Sequence, residues 1–85
     1  MKSSEGHGRA QALAEEQRRM RQLRARVDIA AAAVRVYPLS RAEAEAVVLA
    51  LRAQVLRLFP DKAETFDLIY APRFRRLIDE RFGRA

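Results

Sequence analysis

The sequence predicts an all-α fold: a small three-helix domain with a long basic amphipathic N-terminal helix. Three observations point there. No glycine occurs between Arg9 and Gly83. Alanine supplies 16 of the 85 residues and arginine 15, and both rank among the better helix formers. Finally, "VYPLSRAE" and "LFPDKAE" each place an aromatic residue, a proline and a capping-box spacing in a row, which stops one helix and starts the next.

The elements follow in order. Residues 1–8 carry Ser3, Ser4, Gly6 and Gly8 and read as a disordered tail. The remainder, 9–85, reads as a single helical domain. The first helix is expected over about 9–36. Its apolar residues Leu13, Met20, Leu23, Val27, Ala30, Val34 and Tyr37 fall at heptad spacing, with Glu16 as the exception. Its halves differ. Residues 9–26 form a basic arm with six arginines against Glu15 and Glu16, and residues 27–36 are small, nearly uncharged and suited to close packing. The arm is therefore expected to overhang the domain, with residues 9–20 exposed and frayed in the free chain and ordered on binding. Taking Leu13 and Met20 as one heptad position puts Arg19, Arg24 and Arg26 at flanking sites, where like charges oppose a parallel pairing of two arms.

The second helix, about 41–59, starts at the capping box of Ser40 and Glu43. Ala44, Val47, Val48, Leu51, Val55 and Leu58 share one face, and Leu49, Ala53 and Leu56 occupy much of the other. That pattern predicts a central helix buried most of the way round. The third helix starts at a second capping box, Asp61 with Glu64. Phe66, Ile69, Tyr70, Phe74, Leu77, Ile78 and Phe82 keep helical phase through Pro72, so this helix is kinked or split there. The aromatic stripe reads as core wrapped on the second helix. The likeness of the two proline segments reads as punctuation and not as an internal repeat, because the flanking residues do not align.

Composition excludes several classes of chemistry. The chain has no cysteine and one histidine, His7, which removes thiol catalysis and leaves no transition-metal ligand set. Glu64 and Asp67 are spaced as paired carboxylates, yet the first turn of a helix favours acids for electrostatic reasons alone. Ser3, Ser4 and Ser40 have no base partner, and no glycine-rich phosphate loop exists. No enzymatic activity, metal or cofactor is expected. The start of the chain shows no secretory signal, and the longest uncharged runs fall far short of a membrane span, so a cytoplasmic protein is expected.

The net charge of +6 and the isoelectric point near 11.0 attract acidic proteins, nucleic acid or anionic lipid, although arginine over lysine in an alanine-rich chain also fits biased coding composition. The candidate contact residues are Arg18, Arg19, Arg21, Arg24 and Arg26 on the first helix and Arg73, Arg75 and Arg76 around Pro72. A solvated helix braced by pairs such as Glu15 with Arg19 is the alternative use of the first cluster. A helix-turn-helix at "FPDKAE" fails, because the following segment is aromatic where a recognition helix is polar. The expected function is a non-enzymatic interaction or regulatory module that docks on an acidic protein partner through the basic helix. The alternatives are a nucleic-acid-binding accessory protein with nonspecific phosphate contacts, and association with a membrane surface, which the lack of Trp and Phe in the arm disfavours.

Overall fold

The computed structural model describes residues 2–84, with side chains from Gly8 onward. It is all-helical, and the described residues form three helices that run up, down and up. Helix α1 spans Lys2–Val36 and α2 spans Arg41–Leu58. The third helix, α3, covers residues 60–82 and is assembled from a 3-10 turn at Pro60–Lys62, an α turn at Ala63–Thr65, a π turn at Phe66–Tyr70 and a regular stretch at Ala71–Phe82. The molecule measures 59 × 21 × 19 Å.

Helix α1 begins at Lys2 and not at Arg9. Once a turn is nucleated, each further residue adds a hydrogen bond at little cost, and the backbone stays helical through Gly6 and Gly8. The side chains of Ser3, Ser4 and His7 lie outside the described residues. Residues 8–15 are all exposed, so the beginning of α1 extends beyond the other two helices. Packing of α1 starts near Glu16 and Met20 and continues through Leu23, Val27, Ala30, Ala31 and Val34. The overhang is thus shorter than the 9–26 arm, and most of the arginine cluster lies beside the bundle. Leu13 and Tyr37, at either end of the heptad pattern, are exposed.

The core is a seam to which all three helices contribute: Leu23, Val27 and Val34 from α1, Ala44, Leu51 and Val55 from α2, and Phe66, Phe74 and Ile78 from α3. Helix α2 is not buried most of the way round. Leu49 is 70% exposed, and Ala46, Ala50 and Ala53 also face solvent. Two neighbours can cover two flanks of a helix, and the described residues hold no fourth element to cover the third. Leu58 is exposed while Phe59, which ends the helix, takes the buried place.

The Ser40–Glu43 capping box forms as expected: Glu43 N–H donates to Ser40 Oγ at 3.1 Å, and Ser40 N–H donates to Glu43 Oε1 at 2.8 Å. The Asp61–Glu64 box does not form. No side-chain cap bond starts α3, because Asp61 lies inside the 3-10 turn and its carboxylate accepts from Arg19 instead, a charge-assisted bond stronger than one to a neutral amide.

Pro72 neither splits nor ends α3. The π turn precedes it, with Ala71 N–H donating to Phe66 O, five residues back. Widening the turn there accommodates the ring without breaking the helix. It also serves the core. Phe66, Tyr70, Phe74 and Ile78 are spaced by fours, which drifts around a regular helix of 3.6 residues per turn. The wider turn brings all four into the seam, and all four are buried. Ile69, expected in the stripe, is turned to solvent beside Leu68.

Candidate functional site

The structure sorts the arginines into those that hold the bundle together and those that face outward. Arg19 belongs to the first group. Its Nη2 donates to Asp61 Oδ1 at 2.6 Å, its Nη1 approaches Glu16 Oε2 at 3.5 Å, and its guanidinium lies 5.7 Å from the centre of the Phe59 ring. Lys62 Nζ donates to Glu16 Oε1 and lies 3.7 Å from Asp61 Oδ2. Two cations and two carboxylates thereby pin the α2–α3 turn onto α1. The partner of Arg19 within its helix is Glu16, three residues back, and not Glu15.

Other pairs join the helices further along. Arg52 grips Asp67 with two bonds of 2.8 Å, which gives the Asp67 carboxylate a purely structural partner. At the far end, Arg41 Nη2 donates to Asp79 Oδ1 at 2.7 Å, its Nε to Glu45 at 3.1 Å, and its Nη1 to the carbonyl of Gly83. Arg81 donates to Val34 O, one of the last carbonyls of α1 that the helix itself leaves without a partner. These pairs shift titrations in the expected sense. The Arg19 and Arg52 guanidiniums hold the Asp61 and Asp67 carboxyls below the usual range, and the Ser40 N–H does the same for Glu43. Hydrogen bonding to Glu16 raises Lys62, and bonding to Asp79 raises Arg41.

Arg18, Arg21 and Arg24 are exposed and make no ion pair among the described residues. Each step of three residues turns about 60° around a helix, so the three cover an arc of about 120° on the outer side of α1. Arg73 lies 3.9 Å from Asp28 and so joins α3 to the α1 strip that bears Arg21 and Arg24. Arg26 is half-buried. It stands with Arg57 at the end of a groove between α1 and α2 whose walls include Ile29, Ala33, Val47 and Ala50. Arg75 and Arg76 border a shallow depression on α3 with Pro72, Asp79, Glu80 and Arg84, where acids and bases alternate. The eight candidate arginines therefore fall into separate places: one in the clamp between α1 and the α2–α3 turn, three on the outer arc of α1, one on the groove, and three on α3.

Sequence reasoning missed Arg57 and the exposure of Ile29 and Val36. The run "IAAAAVRV" has Arg35 as its one charge, and its apolar residues alone do not distinguish the docked face of Val27, Ala30, Ala31 and Val34 from the solvent face of Ile29 and Val36. Among the described residues, no cluster of three or more His, Asp or Glu side chains could hold a metal ion. No helix among them is long and apolar enough to cross a membrane.

No known protein family, curated protein or solved structure matches this chain.

Proposed function

We propose that this chain is a non-enzymatic interaction module that docks on an acidic protein partner through the outer arc of α1. The observation that carries this is the contrast among its arginines. Arg19, Arg41 and Arg52 have internal carboxylates, whereas Arg18, Arg21 and Arg24 stand exposed with none among the described residues. Exposed guanidiniums with free donors suit bidentate pairing with carboxylates of another molecule. The arc is compact: from Arg18 to Arg24 the helix advances about 9 Å. Glu15 and Asp28 close it at either end, which favours a discrete acidic patch over a continuous phosphate track.

The test is affinity capture on the intact chain from a lysate treated with nuclease, beside a variant with Arg18→Gln, Arg21→Gln and Arg24→Gln. An acidic protein retained by the wild type after nuclease treatment, and lost by the variant at unchanged helical content, is the expected result. Retention equal in both would overturn the assignment of the arc. Binding to duplex or single-stranded DNA at about 50 mM salt, falling steeply as salt rises, would replace it with nucleic-acid binding. Binding to anionic vesicles but to neither macromolecule would make the partner a membrane surface.

A further inference from the structure

Ile29 and Val36 are 72% and 73% exposed on a part of α1 whose sole charge between them is Arg35. A helix flank open to water is normally polar. Across the groove, α2 continues the apolar surface with Ala46, Val47 and Ala50. We propose that this α1–α2 face is the interface of a homodimer, in which a second copy lies across it with the two α2 helices antiparallel about a twofold axis at Ala50.

Charge placement selects the second copy as occupant. On α2, Glu43, Val47, Ala50, Gln54 and Arg57 follow one another at steps of four and three residues, which puts them in one stripe. Ala50 stands midway between the acid and the base. An antiparallel copy centred on Ala50 sets Arg57 opposite Glu43 of its counterpart, and the twofold repeats the pair. Glu43 Oε1 accepts the Ser40 N–H, which leaves Oε2 for the arginine. Arg26 sits at the same end of the groove as Arg57 and adds to the attraction.

The other twofold arrangement, with the axis along the helices, gathers Arg26 and Arg57 of both copies at one end with no acid between them. A uniformly acidic helix in the groove would meet Glu43 at the opposite end. The face is thus complementary to itself in one orientation. At that orientation Ala50 opposes its own counterpart, Ala46 faces Gln54 and Ala53 faces Val47, and the alanine pair at the axis allows a close helix approach. Ile29, which lines the groove together with Ala50, falls near the axis and packs against α1 of the second copy. The face is about 27 Å long, the length of α2. That is small for a permanent dimer, so dissociation in the micromolar range is expected.

Sedimentation equilibrium of the full chain from about 1 to 300 μM brackets that range. The expected mass rises toward twice 9.7 kDa with concentration. Ala50→Glu, at an exposed helical position, should weaken association at least tenfold at unchanged thermal melting of the monomer. Since the chain has no cysteine, Ala50→Cys under mild oxidation should cross-link into a covalent dimer, because paired Cβ atoms must approach to about 3.5–4.5 Å. Leu68→Cys, exposed on α3, should not. A wild type that stays at 9.7 kDa throughout overturns the proposal. So does a dimer that Ala50→Glu leaves intact, or equal cross-linking of the two cysteine variants.

Discussion

At the scale of single residues, the same side chain type does two jobs, and sequence position alone does not separate them. Arg18 and Arg19 are neighbours, yet a step of 100° around the helix sends one to solvent and the other to Asp61, 42 residues away. Arg19→Gln should lower the urea midpoint of unfolding, and Arg18→Gln should leave it unchanged. Local partners were legible: the Ser40–Glu43 box depends on a spacing of three, which the sequence displays. Asp61 showed the same spacing, and a partner distant in sequence took its carboxylate. The paired acids also set the response to acid. Asp61, Asp67 and Glu43 have folded-state pKa values below their ordinary ones. Their stabilisation is therefore fully present above the unfolded values of about 4 and is lost as pH falls through the folded values. Unfolding midpoints should decline from about pH 5 downward. Asp61→Asn with Asp67→Asn should narrow the difference between pH 7 and pH 3. Both carboxylates are about half exposed, so the change is modest. An identical pH difference in wild type and double variant would show that the pairs contribute nothing.

At the scale of elements, periodicity revealed which helices form but not which flanks are covered. The α3 stripe is a case where it succeeded. Phe66 and Phe74 are fully buried, and the helix does run through Pro72. What a regular-helix projection could not supply was the π turn, which shifts the register and swings Ile69 outward. The consequences for substitution are opposite within that one turn. Phe66→Ala removes a ring from the closed seam and should cost about 3–5 kcal/mol, a large share of the roughly 4–12 kcal/mol expected for a chain of this size. Leu68→Ala, at a residue 68% exposed, should change the midpoint little. Equal midpoints for Phe66→Ala and wild type in a urea titration would mean that the stripe is not the core. For α2, apolar residues on both sides implied a buried centre. The three-helix arrangement leaves Ala46, Leu49, Ala50 and Ala53 uncovered, so that surplus of apolar residues is a property of the surface and not of the core.

At the scale of the whole molecule, a bundle about one α2 in length carries a helix about twice as long. Thirty-five residues of α1 span about 52 Å, against about 27 Å for α2. Length alone predicted an overhang, but its boundary depended on the Glu16–Arg19–Asp61–Lys62 clamp, which joins residues more than 40 positions apart and has no signature in local sequence. Beyond the clamp, residues 8–15 are exposed, and Leu13 is 61% so. An isolated helix of that length is marginal in water, since few hydrogen bonds offset the cost of nucleation and fraying proceeds from the free end. Residues 20–34 share the same helix but bury Leu23, Val27 and Val34 completely. Amide hydrogen exchange on the chain at low concentration should therefore show a gradient along α1. Residues 9–14 should exchange with little protection, and residues 23–34 should match 47–55 in α2. The step between the two regimes should fall near Glu16. Glu16→Ala together with Asp61→Asn, which removes both carboxylates of the clamp, should move that step toward Leu23, because the next anchor of α1 is its buried leucine. A step already at Leu23 in the wild type would mean that the clamp does not hold α1 in solution, and uniform protection from residue 9 onward would mean that the overhang is covered.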